Sequence, residues 1–546
     1  MGFSNFIKMI EAPSPEGLTG AERFLQNDDL LPVPESQRLW KTRNYLAFWL
    51  ADSFNVNTFQ IASSMVALGM TWWQAWLAVW VGYGTAACFL VLNAYPGAKY
   101  HIIFPAYARA SFGPIGALWP VMNRAVMACI WYGVQAWIGG QCIYTLLCAI
   151  WPQTAKLGLH IIGNPANGLD AGRLIGFILF SALSLIPIYF PLHKIRHLFT
   201  LKAIVAPIGG IALFAWCLSK AGGAGPIIHA PATITGSALG WGFVINLMSC
   251  ISNMATLITN ATDFASRASR PRDVIIPQLI ALPCTFAIVS LFGIFIGSSS
   301  TLIFGSYIWS PLAIMDAFLE KFPSHSTRAG VAIIAMCFTV AQLGTNIAAN
   351  SISAGCDLTS LFPRFLSIRR GGYVCALIGF CMCPWILESS SSKFESYLSG
   401  YSVFLSSIAG VLISHFWVVA KQNIKIDDLY TLDGVYAYTY GVNPRAYAAY
   451  FAGIAINVVG FAGDVGTPVN IVATRIFELS FFTGFLASSA VYIGLNYIFP
   501  VRQPTTEECA IITVGRKEWF GETGSVERED SEDKKSYDEK TGVVSV

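Results

Sequence analysis

The stretch DSFNVNT, residues 52–58, interrupts the first long apolar segment of the chain, which runs from about Tyr45 to Leu68. A second polar run, SCISNMAT at residues 249–256, lies inside the sixth apolar segment, which opens near Leu239. Unpaired backbone groups are costly in hydrocarbon, so a membrane helix is broken only where it lines a cavity or is buried in protein. Matched breaks in two halves of a chain are typical of the substrate site of a secondary transporter.

The composition is that of an integral membrane protein. The chain has 546 residues, of which 54% are hydrophobic and only 12% are charged. A soluble chain carries roughly a quarter charged residues. The net charge of +3 gives no reason to expect a nucleic-acid partner. The 13 cysteines lie mostly in apolar segments and, apart from a weak CMC at residues 381–383, lack zinc or redox spacing, so we predict no metal site and no cofactor.

Apolar runs of about 20 residues predict an all-α polytopic membrane protein with twelve transmembrane helices. The fourth, Gly172–Phe190, and the eleventh, Ala446–Phe461, are the shortest by sequence. The twelve predicted segments begin near Tyr45, Trp73, Gly116, Gly172, Phe199, Ala238, Val274, Arg328, Gly371, Tyr397, Ala446 and Phe477.

Loop charge predicts the orientation, because basic residues concentrate in cytoplasmic loops. With a cytoplasmic N-terminus, the loops on that side carry far more lysines and arginines than the loops on the opposite side, and both termini are cytoplasmic. These basic residues are Lys99, Arg109, Lys194, Arg196, Arg267, Arg270, Arg272, Arg364, Arg369, Arg370, Lys421, Lys425 and Arg445.

Three regions follow from this pattern. Residues 1–43 form a polar cytoplasmic tail without a cleavable signal peptide, and residues 44–500 form the transmembrane domain. Residues 501–546 are predicted to be a disordered cytoplasmic tail, since they cannot bury enough apolar surface to fold. This tail is either simply solvated or a modified regulatory segment, for which ubiquitin and the endocytic machinery are the expected partners.

The positions of the breaks predict internal symmetry. Broken segments one and six are separated by five helices, an odd number, so a second copy of the unit enters the membrane from the other side. Segments eleven and twelve then lie outside this inverted repeat.

The third segment carries Trp131 and Gln135, which are four residues apart and therefore share a helix face. An indole beside a carboxamide suits a planar heterocycle with amide edges. The same pair also fits core packing with an interhelical hydrogen bond. Segment eight repeats the spacing with Asn346 and Asn350, beside Thr345, where either a polar cavity wall or close helix packing accounts for the residues.

Three acids lie near segment ends or breaks, where intramembrane carboxylates are candidates for function. Asp52 lies within the first break and is the preferred candidate for proton coupling or gating. Asp263 and Asp357 precede basic loops, so they are either gating residues or partners of interfacial arginines.

At these residues the chain resembles the nucleobase–cation symporter-1 family, and within it the fungal uracil/allantoin permease branch. The similarity extends from about Leu31 to Arg502. The matching stretches are residues 50–58, 104–113, 123–137, 255–264 and 342–363.

The resemblance implies a LeuT-like fold similar to that of the bacterial hydantoin transporter: a five-plus-five inverted repeat with helices one and six broken, followed by two helices. It implies that Trp131 stacks on the substrate ring and that Gln135 and Asn350 bind its amide edges. The family's aromatic residue in segment six is replaced here by Met254, which leaves the identity of the ligand open.

A second departure from the family concerns the coupling ion. In sodium-coupled relatives the ligands are backbone carbonyls, matched here by Ala51 and Phe54, and a Ser-Thr pair, matched here by Gly344 and Thr345. The missing hydroxyl weakens a site for a hard cation, which needs oxygen ligands. The resemblance therefore favours a proton over sodium.

Together these observations predict a plasma-membrane proton symporter for uracil or a related ureide such as allantoin, with Asn346 and Asn55 as additional polar wall. The same family also includes uridine and thiamine transporters, and a transporter-like nutrient sensor is a further alternative. The sequence offers no nucleophile with a nearby base and no His/Cys cluster, so we predict no catalytic residues and no enzyme activity.

Overall fold

The computed structural model describes residues 11–12, 22–164, 168–190 and 192–509, with the backbone alone at residues 22, 192–194, 196, 391, 392 and 395. In these ranges all regular structure is helical, apart from three isolated β-bridges. Of the predicted tails, 19 of residues 1–43 and 37 of residues 501–546 lie outside the described residues, and the tail boundaries stay predictions.

Twelve helical spans are present in the described ranges. Ten of them are long and apolar enough to cross a membrane, while span 1 is broken and span 9 has only 14 residues. The prediction that the fourth and eleventh spans are the shortest is therefore wrong. Spans 1–6 are Thr42–Ser53 with Val56–Ala67, Trp72–Tyr100, Leu118–Ile150, Ala171–Tyr189, Leu192–Lys220, and Gly236–Thr259 with Ala261–Ala265. Spans 7–12 are Arg272–Phe304, His325–Leu361, Ile368–Cys381, Ser391–Val419, Pro444–Asp464 and Ser480–Ile498.

Short helices connect the spans. These helices have three to eleven residues and lie in the N-terminal segment and in the loops between spans. They are Glu22–Leu25, Glu35–Gln37, Phe104–Phe112, Pro152–Leu159, Gly225–Ile228, Pro311–Lys321, Pro384–Ile386, Asp427–Tyr430 and Ile471–Phe477.

The break in span 1 falls within the predicted stretch. Helix ends at Ser53 and resumes at Val56, and Asn55 between them has extended backbone. The Asn55 side chain accepts a hydrogen bond from the Thr58 amide at 3.0 Å, which caps the second half of the span. The polar run therefore begins a new helix at mid-span.

Span 6 is also broken, but not at residues 249–256, where the sequence predicted the interruption. Helix is continuous from Gly236 to Thr259, and the break is at Asn260. The polar side chains of the run are satisfied without breaking the backbone: Ser249 donates to the Ile245 carbonyl one turn earlier, and Asn253 donates to the Tyr83 hydroxyl of span 2.

Span 8 contains a π-helical turn at Asn346–Ser351, flanked by α-helix on both sides. π-Helical turns are rare and occur often at functional sites. Nothing in the sequence predicted this turn.

The spans pack in three groups. Spans 1, 2, 6 and 7 pack together as one bundle, and spans 3, 4, 5, 8 and 9 pack together beside it. Span 7 approaches the second half of span 1 closely at Gly293, where an added Cβ atom would lie 2.6 Å from the Phe59 carbonyl oxygen. Spans 10, 11 and 12 pack on one another, and span 10 also packs against span 6.

The chain closes the face of the molecule on which span 1 begins, here called the N-terminal face. Asn27 donates to the Pro363 carbonyl in the loop between spans 8 and 9, and Trp40 bridges to Ala268 before span 7. Span 1 and span 9 both start at this face, so the loop after span 9 lies at the opposite face.

Candidate functional site

A small buried cavity lies where spans 1, 3, 6, 7 and 8 meet. Its volume is about 40 Å³, room for roughly three water molecules. The lining combines two aromatic rings with carboxamide, hydroxyl and carboxylate groups. The lining residues are Asp52, Asn55, Asn57, Trp131, Gln135, Asn253, Met254, Thr256, Leu257, Phe286, Thr345, Ala349 and Asn350.

Span 3 supplies Trp131 and Gln135, which line the cavity together as their spacing predicts. The indole is 5% exposed, and its ring centroid lies 5.5 Å from that of Tyr397 in span 10. The Gln135 Oε1 atom accepts a hydrogen bond of 2.7 Å from Gln342 Nε2 of span 8. One edge of the Gln135 amide is therefore held by a neighbour that a ligand could replace.

The π-helical turn of span 8 separates the roles of its two asparagines. Asn350 lines the cavity and donates to Asn346 Oδ1 at 3.1 Å. Asn346 donates in turn to the Tyr132 carbonyl at 3.2 Å and is absent from the cavity lining. Asn346 thus orients Asn350 from behind the cavity lining, and its role as polar wall stays a prediction.

Spans 1 and 6 supply a connected polar wall. Asn57 donates to Asn253 Oδ1 at 3.1 Å, and Asn253 donates to the Tyr83 hydroxyl at 3.1 Å. Met254, 2% exposed, lines the same cavity, as does Asn55. Asn57 and Asn253 lie in the two polar runs of the sequence, but sequence reasoning did not assign them to the site.

A buried lysine lies beside the residues expected to hold a coupling ion. Lys202 of span 5 is 3% exposed, and its Nζ donates to Thr345 Oγ1 at 2.7 Å. It also interacts electrostatically with Asp52, which is 6% exposed and lines the cavity. Gly344 makes room for this side chain, because a Cβ atom there would lie 2.7 Å from Lys202 Cδ. The position of Lys202 inside the fifth apolar segment was a signal that sequence reasoning missed.

The other residues assigned to coupling lie outside the cavity lining. Phe54 is buried against Phe292 of span 7, with ring centroids 6.3 Å apart, and Ala51 is buried one turn earlier.

Asp263 and Asp357 lie at the N-terminal face, where Asp263 interacts electrostatically with the loop residue Arg267. Their assignment to gating or to interfacial ion pairs stays a prediction. Asp357 forms an ion pair with Arg124 of span 3, and the two side chains are 0% and 1% exposed. Asp263 accepts from the Phe104 amide at 2.7 Å and from Asn260 Nδ2 at 2.9 Å. The ion pair joins spans 3 and 8, and the bond from Phe104 joins span 6 to the helix Phe104–Phe112.

In the described part of the chain, no group of three or more His, Cys, Asp or Glu side chains is arranged to hold a metal ion.

Comparison with known sequences places the chain among transporters. Residues 32–484 match the family model described as a permease for cytosine/purines, uracil, thiamine and allantoin. The chain is 48% identical to an uncharacterized permease of Schizosaccharomyces pombe, over 91% of this chain and 84% of that protein. It is 42% identical to the allantoin permease and 40% identical to the uracil permease of Saccharomyces cerevisiae, covering 93% and 89% of this chain and 80% and 78% of those proteins.

Among solved structures, Mhp1 in a closed conformation with bromovinylhydantoin bound matches 88% of this chain and 98% of its own, with a TM-score of 0.69 and 22% identity. That likeness confirms the predicted LeuT-like fold of two inverted five-helix units with broken first and sixth helices. The chain is a multi-pass membrane transporter rather than an enzyme, and it belongs to the nucleobase–cation symporter-1 family of permeases for cytosine/purines, uracil, thiamine and allantoin.

Proposed function

We propose that this permease takes up uracil, or a closely related ring amide such as allantoin, together with a proton. The observation that carries the proposal is that Trp131, Gln135 and Asn350 line one buried cavity. An indole offers a face for a flat ring, and two carboxamides offer both donors and acceptors to its amide edges. The required ligand is therefore small, planar and rich in N–H and C=O groups.

The cavity must widen to admit such a ring, since its volume is about 40 Å³. The hydrogen bonds that must break when the cavity widens cost little free energy, because a substrate can replace them. Gln135 is paired with Gln342, and Asn350 with Asn346, through neutral hydrogen bonds. A substrate amide that replaces them restores their number, so little hydrogen-bonding energy is lost on binding.

Sequence identity does not favour uracil over allantoin, because the allantoin permease is 42% and the uracil permease 40% identical to this chain. Met254 lines the cavity in place of the family's aromatic residue, and its flexible thioether adapts to rings of different shape. We therefore expect residue 254 to influence which ring is bound. Uridine and thiamine are the further candidates in the same family, and a nutrient sensor would bind its ligand without net transport.

Proton coupling is supported by the lysine beside Thr345. The Lys202 ammonium group donates to the hydroxyl of Thr345, and its side chain fills the space that Gly344 leaves open. A cation already at this position repels a sodium ion and competes for the same oxygen. Asp52 lines the cavity next to Lys202 and is the carboxylate we assign to proton binding.

The proposed location is the plasma membrane, with both termini in the cytoplasm as the loop charges predict. The N-terminal face is then the cytoplasmic face. The C-terminal tail beyond residue 509 lies outside the described residues, and we propose it as the segment that ubiquitin and the endocytic machinery act on.

The test is uptake of radiolabelled uracil and allantoin in cells that lack their own permeases, with a panel of unlabelled pyrimidines, purines, nucleosides and ureides as competitors. The proposal expects saturable accumulation of one of the two, which rises as external pH falls and collapses with a protonophore. Uptake that follows external sodium at fixed pH contradicts proton coupling. Binding without accumulation supports the sensor instead.

A further inference from the structure

At the face of the molecule opposite the N-terminal face, contacts from the second half of span 1 close the cavity. Ser63 and Tyr307, which follows span 7, have their hydroxyl oxygens 2.9 Å apart. Closer to span 10, Gln60 Nε2 donates to Glu388 Oε2 at 3.2 Å. Glu388 lies in the loop between spans 9 and 10, three residues before span 10 begins. This pair therefore joins the second half of span 1 to the loop before span 10.

The pair of Gln60 and Glu388 lacks one hydrogen-bond donor, which protonation of the Glu388 carboxylate would supply. Among the residues that the structure describes, Glu388 Oε1 and Gln60 Oε1 have no hydrogen-bond partner, although both atoms are sealed from solvent. An ionised carboxylate is an acceptor only, so it cannot satisfy the Gln60 oxygen. A protonated carboxyl has a hydroxyl to donate, and with the amide it forms a pair held by two hydrogen bonds.

We propose that Glu388 is a proton-binding gate residue, whose protonated carboxyl holds the second half of span 1 against the loop before span 10 and whose ionised carboxylate releases it. The gate connects directly to the substrate site. Tyr397 of span 10 interacts electrostatically with Glu388 on one side and packs on Trp131 on the other, with ring centroids 5.5 Å apart.

The charges around the carboxyl fit this role. Gln60 of span 1 is neutral, Tyr397 is the titratable group that faces the carboxyl from span 10, and no ion pair with Glu388 is present within the described ranges. Burial raises the pKa of Glu388 to about 8 in the closed gate.

The direction of the effect follows from linkage. Once the gate opens into water, the carboxyl returns to a pKa of about 4.3. The closed gate therefore gains stability relative to the open gate as pH falls through about 8, and the gain is complete below the pKa of the open form. The inference rests on the proposed function only in placing this face outside the cell.

The experiment measures access to the cavity and does not require transport. Ala349, which lines the cavity, is replaced by cysteine, and intact cells are treated with a charged, membrane-impermeant thiol reagent. Labelling at residue 349 is quantified by peptide mass spectrometry. Because thiol reactivity itself changes with pH, each rate is divided by the rate in the same variant carrying Glu388→Gln, whose amide supplies the missing donor at every pH.

We expect this ratio to fall roughly tenfold or more between about pH 8.5 and about pH 6.5. The window lies above the pKa of Asp316, a loop carboxyl between spans 7 and 8 whose pKa burial raises to about 6. Glu320→Gln, the same change at an exposed carboxyl of that loop, should leave the fall intact.

Gln60→Leu provides a second route if Glu388→Gln fails to reach the membrane. It removes the acceptor for the proton, so its labelling rate divided by that of Glu320→Gln should be close to one at about pH 8.5 and rise roughly tenfold by about pH 6.5. A ratio to Glu388→Gln that stays constant across the window overturns the gate, even if uptake proves to be proton-driven. A fall in that ratio with falling pH supports the gate, even if uptake proves to be driven by sodium.

Discussion

The mid-membrane cavity and the N-terminal face both contain buried polar contacts, but the contacts at the two places differ in kind. In the cavity, Gln135 pairs with Gln342 through a neutral hydrogen bond, which contributes about 0.5–1.5 kcal/mol net. At the N-terminal face, Arg124 and Asp357 form a fully buried ion pair, and removing one partner of such a pair costs about 3–5 kcal/mol. A substrate can therefore displace the first set of contacts, whereas the second opens only when both charges become hydrated.

The largest effect is expected from Asp357→Leu. This change leaves the Arg124 guanidinium buried without its partner, which should cost about 3–5 kcal/mol and lower the apparent melting temperature of the purified protein. The double variant Arg124→Leu/Asp357→Leu should recover most of the loss, since it removes both charges.

The matched control is Arg502→Leu, which breaks the pair of Arg502 with Glu508. These side chains are 75% and 31% exposed, so the loss of the pair should leave the melting temperature nearly unchanged. If Asp357→Leu and the double variant melt at the same temperature, the buried charge is not what holds this face.

The next effect concerns the ion at Thr345. Gly344→Ser places a side chain against Lys202, whose Cδ lies 2.7 Å from the added Cβ, and overpacking of this kind costs about 1–3 kcal/mol. We expect uptake to fall roughly tenfold at equal surface expression, since about 1.4 kcal/mol is a tenfold change.

Lys202→Ala combined with Gly344→Ser should relieve the overlap and supply the Ser-Thr pair that sodium-coupled relatives have. The expected result is uptake that external sodium stimulates. Uptake by the double variant that stays proton-driven and indifferent to sodium would show that Lys202 does not exclude the ion.

Gln135→Ala and Asn350→Ala test the recognition of the substrate's edges. Each removes one cavity carboxamide, so KM should rise about tenfold, the equivalent of about 1.4 kcal/mol, without a large change in surface expression. Asn496→Ala in span 12 is the control, because this buried amide donates to the Tyr492 carbonyl at 2.8 Å and is absent from the cavity lining. Normal transport by both cavity variants rules out the proposed site.

The smallest effect is expected from Met254→Phe. An added aromatic ring on the span 6 side of the cavity should favour flat rings by about 0.5–1 kcal/mol, which is a twofold to fivefold fall in KM for uracil. Competition assays with uracil and allantoin measure the change in selectivity. Equal shifts for both compounds mean that residue 254 does not discriminate between them.

Sequence reasoning predicted the parts of this molecule that depend on local pattern. Span number, the break at Asn55 and the shared face of Trp131 and Gln135 follow from apolar length, capping and helical periodicity. The parts it missed depend on partners distant in sequence. Residues 249–256 stay helical because Asn253 finds partners in spans 1 and 2.

The same limit explains the two asparagines of span 8. A regular α-helix places Asn346 and Asn350 on one face, but the π-helical turn and the Tyr132 carbonyl hold Asn346 behind Asn350. The pairing of Lys202 with Thr345 likewise requires spans 5 and 8 to meet at Gly344.

A structure of the purified transporter with uracil bound would show the substrate site itself. We expect the ring on the Trp131 indole, with Gln135 and Asn350 at hydrogen-bond distance from its amide edges and the contact between Gln135 and Gln342 replaced. A ring bound away from Trp131, or one that leaves the Gln135–Gln342 and Asn350–Asn346 pairs intact, would contradict the proposed site.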